Sequence, residues 1–326
     1  MNTWTKLLAV STIFIAGTGT GLTKSYPSGP ITLIVPFAPG ASADGIARLI
    51  AKDLSTSTGQ TVIVENKPGG GGVNGLLLLA NAKADGYTIA IGATGAIVVN
   101  PHLPDGGKLD PQQHLTPLAK LVDIPLVMIA GKDSGFTSIA DLLAKTKKGT
   151  GDTTYGTPGQ YTAQHLAGEL LASMTETDLI AVPYRGSAPA VADILGGQLP
   201  TAIVDLTSAA PLIQANKVLA LGVTSPERSR IAPTIPTIAE SGVPNYSATA
   251  WLGMFAPANT PTPVVEKLSA SLEAALTNKE VQERIMSLSA EPAYLSAQKF
   301  APFIVNELNK WGSIISASTA TAQQAH

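Results

Sequence analysis

The chain has 326 residues, 44% of them hydrophobic, a formal net charge of −2 and no cysteine. That length suggests about two domains of ordinary size, and the hydrophobic share can supply their cores without disulfides. The missing cysteine excludes disulfides, thiol nucleophiles and a lipid-modified cysteine anchor, and the lack of a basic stripe argues against nucleic acid as a partner.

In chain order, Lys6 precedes an apolar run over 7–16, and small residues continue to Ser25. This is the layout of a secretory signal, and the run is shorter than the ~20 residues a bilayer span needs. Residues 1–25 are therefore expected to be removed before Tyr26, leaving an exported chain. A buried or anchoring N-terminal helix is the competing reading. Strands are expected at 31–35, 61–65, 88–92, 126–130, 153–155, 179–183, 201–204 and 219–223. Helices are expected at 44–57, 73–82, 138–147, 162–173, 188–195 and 208–215. After a strand near 251–256 the pattern turns helical, at 263–276, 279–288 and 297–316. Strand–helix alternation with short connections predicts a mostly parallel α/β sheet.

Four turns stand out. ITLIVPFAPGASADGIAR at 31–48 is a strand, a proline-containing turn and a helix start. Such a junction aims free N–H groups and the positive end of a helix dipole at one point, a ready site for a carboxylate or phosphate. NKPGGGGVNG at 66–75 repeats the construction. Its Gly70, Gly72 and Gly75 match G-x-G-x-x-G, but the acidic residue expected about 20 positions on is missing. A ligand contact and a purely structural tight turn both remain open, and no nucleotide or other cofactor is expected. IGATGA at 91–96 offers Thr94 as a hydroxyl donor. YGTPGQYTAQ at 155–164 carries Thr157 and a helix N-cap at Thr162. In open α/β sheets ligands bind beyond the carboxyl ends of the strands, so two such domains face to face would form a cleft.

Together these segments resemble the solute receptors of tripartite tricarboxylate transporters, also called Bug receptors. The similarity runs through YPSGPITLIVPFAPG (26–40), VIVENKPGGGG (62–72), ADGYTIAIG (84–92), QHLAGELL (164–171), VPYRGSAPAVADILGGQL (182–199) and LALGVTSPERS (219–229). The resemblance implies a type II periplasmic binding protein, with two α/β lobes closing on a small carboxylate or amino-acid ligand. Lobe 1 is expected from 26–123 plus 250–326 and lobe 2 from 124–249, with crossings near 122–124 and 248–250. It further implies a monomer that serves a membrane permease or a sensor, without metal or catalysis.

The site residues implied in the first lobe are Phe37, Ala38, Pro39, Gly40, Ala41, Ser42, Asp44, Ala93 and Thr94. In the second they are Thr157, Gly159, Gln160, Tyr161, Thr162, Tyr184, Arg185, Gly186 and Asp205. Two turns depart from the family pattern. Ala41 and Ala43 stand where glycine and threonine are usual, and Tyr161 where glycine is common. Tyr161 either fills the cleft or packs outward. Asp205 either meets a ligand ammonium or hydroxyl or caps the helix that follows. Arg185 either pairs with a ligand carboxylate or is held by Tyr184 and Asp193. Arg48 suits a local ion pair.

An exported enzyme acting on a small carboxylate is the alternative. Against it, the chain has neither a G-x-S-x-G nor an H-E-x-x-H motif. His165 and Glu169, four apart on one helix face, form half a metal site or a structural hydrogen bond.

Overall fold

The computed structural model describes residues 26–103, 106, 108–147 and 153–324, with side chains described to 316. The expected export signal over 1–25 lies outside the described residues. The first part of the chain runs β1 (Ile31–Val35), α1 (Ser42–Thr58), β2 (Val62–Asn66), α2 (Val73–Ala80), β3 (Thr88–Ala93), α3 (Pro111–His114) and β4 (Leu115–Ile124). The middle runs β5 (Leu126–Gly131), α4 (Ile139–Lys145), β6 (Thr153–Thr157), α5 (Ala163–Thr175), β7 (Leu179–Pro183), α6 (Ser187–Leu195), β8 (Thr201–Asp205), α7 (Leu206–Gln214) and β9 (Val218–Val223). The last part runs β10 (Ala250–Pro257), α8 (Thr262–Thr277), α9 (Lys279–Ser287), β11 (Glu291–Ser296) and α10 (Ala297–Gln324).

The strands form two sheets, β11-β4-β10-β3-β1-β2 and β7-β6-β8-β5-β9. Both are mixed, not mostly parallel. β1 pairs in parallel with β2 and β3, and β6 with β7 and β8. β10 runs antiparallel to β3 and β4, β11 to β4, and β5 to β8 and β9. The reason is how the chain passes between sheets. β4 ends at Ile124 in the first sheet, and β5 starts at Leu126 in the second, with only Pro125 between them. A strand that feeds straight into the other sheet has no helical crossover to reverse its direction, so its neighbours pair antiparallel. The return path ends at β10. There Thr224 Oγ1 donates to the Ala248 carbonyl at 2.6 Å, and the Ala248 N–H donates back to the Thr224 carbonyl at 2.9 Å.

Burial explains the elements. β5 is buried at every residue, and β1 at every residue but Thr32. α1 turns Ile46, Ala47, Leu49, Ile50, Ala51 and Leu54 inward at helical spacing. β4 and β11 lie outside the expected elements. β4 (LTPLAKLVDI) contains Pro117, Lys120 and Asp123, which break the apolar pattern of a buried strand. β11 (EPAYLS) is a sheet edge, where Pro292 is tolerated. Lys120 is buried on β4 because its Nζ meets Asp123 Oδ1 at 2.6 Å and lies 4.8 Å from the Phe303 ring centroid. α10 packs on β4 and also on α5, so it touches both sheet systems. No helix among the described residues is long and apolar enough to cross a membrane.

Candidate functional site

A cleft of about 620 Å³ opens where the two sheets meet, with Ile124 and Ala250 of the crossing strands in its lining. Among the described residues, five α-helices begin at it. α1 contributes Ala41, Ser42 and Ala43; the glycine turn before α2 contributes Gly70 and Gly71, and α2 itself Val73; α5 contributes Thr162, Ala163 and Gln164; α6 contributes Gly186 and Ser187; α7 contributes Asp205. Phe37, Trp251 and Leu252 supply apolar wall. No lysine, arginine or histidine lines the cleft among the described residues. With no cation in that lining, attraction of an anion rests on main-chain N–H groups and helix starts.

α1 is the best-formed donor. Its N-cap, Ala41, makes no side-chain capping bond. The N–H groups of Asp44 and Gly45 are used by the Ala41 carbonyl, whereas those of Ser42 and Ala43 have no partner among the described residues. The turn before them is fixed from beneath by Asp44, which is buried. Its carboxylate accepts from the Gly40 N–H at 2.9 Å, Arg48 Nε at 3.0 Å and Asn66 Nδ2 at 2.8 Å. Burial alone would push the Asp44 pKa up, but the bonds from Arg48, Gly40 and Asn66 outweigh it and hold it at about 2. Asp44 thus shapes the turn and does not border the cleft. Arg48 is its ion-pair partner at 3.0 Å, as the spacing predicts.

Of the other expected site residues, Phe37, Ala41, Ser42, Ala93, Thr94, Gln160, Tyr161, Thr162, Gly186 and Asp205 border the cleft. Ala38, Pro39, Gly40, Thr157, Gly159, Tyr184 and Arg185 do not. Thr157 is buried under its own turn, donating to the Gly159 carbonyl at 3.1 Å. Tyr184 turns away, its hydroxyl donating to Asp193 at 2.7 Å, and burial together with that carboxylate pushes its pKa up to about 12. Arg185 is exposed, and neither Tyr184 nor Asp193 holds it. Thr94 does not act as the expected free hydroxyl donor. It is buried, and its Oγ1 accepts from the Trp251 N–H at 2.8 Å, tying the end of β3 to β10. The Asn66–Gly75 turn is a tight turn that also reaches the cleft. Gly69 to Gly72 all have positive φ, and Gly70 and Gly71 line the cleft.

Among the described residues, the second wall carries the one charged side chain of the lining, Asp205. It stands at the start of α7 but makes no capping bond, so the capping reading fails. Instead Oδ1 accepts from Gln164 Nε2 at 2.6 Å. Burial pushes its pKa up, partly offset by Gln164 and the nearby Ser187 hydroxyl. Tyr161 lines the cleft and also packs edge-on against His165, with ring centroids 5.8 Å apart. The Tyr161 N–H donates to His165 Nδ1 at 3.1 Å, and His165 Nε2 lies 3.6 Å from Glu169. Burial lowers the His165 pKa, opposed by Glu169. The imidazole is thus a structural hydrogen-bond acceptor. Gln164, Ser187, Asn100 and Trp251 also line the cleft and carry no motif that would mark them in sequence.

Two mixed α/β sheets joined by direct strand crossings, with helix starts around the cleft between them, define a two-lobed binding protein of the periplasmic type. Residues 46–319 match the tripartite tricarboxylate transporter family receptors, and the chain belongs to that family. It is 33% identical to protein BugT of Bordetella pertussis over 315 residues, covering 95% of this chain and 97% of BugT. Among solved structures it is similar to the periplasmic binding protein BugD, at 33% identity and a TM-score of 0.75, covering 90% of this chain and 99% of that one. Rpa4515 of R. palustris, solved with adipate, is 32% identical with a TM-score of 0.78, over 89% of this chain and 97% of that one. The protein is a solute-binding receptor.

Proposed function

We propose that the protein captures a small carboxylate in this cleft outside the cytoplasm and releases it unchanged to a membrane permease or a sensor. The observation that carries the reading is the set of five helix starts around a cleft without a cationic side chain among the described residues. Main-chain N–H groups and helix dipoles favour an anion there, and the free N–H groups of Ser42 and Ala43 give its carboxylate a defined seat. The adipate bound to Rpa4515 is a ligand of that chemistry. Lobe 1 combines 26–123 with 250–326, lobe 2 spans 124–249, and 1–25 act as the export signal. Contacts to both lobes favour the closed state over the open one, and a partner reads that difference.

Thermal-shift screening of the mature chain against mono-, di- and tricarboxylates and amino acids tests this. At 100 times its dissociation constant a true ligand adds about 2.7 kcal/mol of stability, and the compound recovered from the saturated protein is chemically unaltered. A screen with no stabilising acid, or turnover of the best binder, would refute the reading.

A further inference from the structure

The crossing strands have a cavity on each face. Neighbouring residues of a strand point to opposite faces of its sheet. Ile124 and Ala250, partners in the register of β4 and β10, line the candidate binding cleft. Asp123 and Thr249, each one position earlier, line a second cavity of about 540 Å³. This one also lies between the two sheet systems, with Glu291 of β11 on one side and Arg230, beyond β9, on the other. A rotation of one sheet system against the other about the crossing strands acts on the two cavities in opposite senses. Narrowing the cleft widens the far cavity.

The far side is held together by polar bonds. Glu291 Oε1 accepts from the buried Ser229 hydroxyl at 2.5 Å and from the Arg230 N–H at 2.9 Å. The Arg230 guanidinium donates to the Pro292 carbonyl at 2.9 Å and lies 3.8 Å from the Glu291 carboxylate. Within its own sheet Glu291 stands opposite Asp123, and like charges so placed destabilise a strand pair. The donors of the second sheet system offset that repulsion only while the two sides touch. Arg228 lines the same cavity but bonds to Glu240 and the Pro233 carbonyl, in its own connection between β9 and β10, and so bridges nothing.

We propose that the contact of Ser229 and Arg230 with Glu291 is a latch that opposes closure of the cleft, so that ligand affinity is set in part by residues outside the binding site. The latch rests on the proposed two-state receptor function and goes beyond it. Apparent affinity scales with the fraction of the protein that is free to adopt the binding-competent state. Loosening the latch therefore raises affinity, although it removes favourable bonds.

Distances between two labels test this in the mature protein with no ligand present. The chain has no cysteine, so Lys52→Cys on α1 and Ala192→Cys on α6, both at exposed positions, carry one spin label each. Both helices begin at the cleft, so the labels approach as it narrows. In Glu291→Ala and in Arg230→Ala the unliganded distances shift to shorter values. Calorimetry with adipate then gives about three- to tenfold tighter binding than in the unaltered protein, the effect of one hydrogen bond. Arg228→Ala leaves distances and affinity unchanged. A contact that only stabilises the fold would lower stability without tightening binding. Distances that stay the same or lengthen in both bridging variants overturn the latch, as does weaker binding of adipate by both. If adipate binds none of the proteins, the carboxylate reading loses that ligand, while the label distances still decide the latch. The Arg230 side chain is exposed, so its variant carries the test if Glu291→Ala does not fold.

Discussion

Tyr161 shows at one residue how the site is held in shape. Its backbone has φ 59°, in the left-handed region, although it carries a full side chain. That conformation costs a non-glycine residue roughly 1–2 kcal/mol. The site offsets this with the bond to His165 Nδ1 and the edge-on contact between the rings. Glycine would enter the same region without a Cβ penalty. Tyr161→Gly should therefore be more stable than Tyr161→Ala by about 1 kcal/mol, the reverse of the usual order. Urea denaturation of the two variants checks this. An alanine variant as stable as the glycine variant would mean that the turn relaxes and imposes no left-handed backbone.

At the scale of elements, β4, which leads through Pro125 into the other sheet, hides an ion pair. Lys120 and Asp123 face each other on it at 2.6 Å, and burial pushes the Asp123 pKa up even though Lys120 pulls it down. Lys120→Met should cost about 1–3 kcal/mol near neutral pH, because it leaves a half-buried carboxylate without its partner. The loss should shrink on acidification. Without Lys120 the folded-state pKa of Asp123 rises further above its unfolded value. Stability is then retained at low pH and lost as pH rises through the folded pKa. Melting curves at pH 5 and pH 8 decide it: a loss that is equal at both, or larger at pH 5, contradicts this assignment. The same strand marks the limit of what is legible beforehand. β1 and β7 match their expected spans because each is a short apolar run bounded by prolines or turn residues. β4 is not legible, because the buried Lys120 makes sense inside a strand only once the half-buried Asp123 pairs with it. The glycine and proline turns that open on the cleft are visible in the sequence. The roles of Thr94 and Asp205 are not. One depends on Trp251 of β10 and the other on Gln164 of α5, both far away in sequence.

Across the whole molecule, the two sheet systems touch at more than their crossing strands. On the far side of the crossings, Glu291 of β11 accepts from Ser229 Oγ at 2.5 Å and from the Arg230 N–H at 2.9 Å, and Arg230 also donates to the Pro292 carbonyl. At the cleft, an added Cβ on Gly95 would lie 3.4 Å from the Tyr161 carbonyl oxygen, so the two rims already approach closely. Closure of the two rims on a ligand would strengthen a main-chain anion seat, because a dipole is less screened where water is excluded.

In the proposed function, main-chain N–H groups at the start of α1 hold a ligand carboxylate. Calorimetry with the best-binding acid, its methyl ester and its primary amide tests it most directly, on the unaltered protein and on Ser42→Ala. Two charge-assisted hydrogen bonds correspond to about a hundredfold or more in affinity, so the ester and the amide should bind at least that much more weakly than the acid. Ser42→Ala removes a side chain and leaves the N–H, so it should change affinity for the acid by less than about tenfold. Equal affinity for the acid and its neutral derivatives would contradict the account.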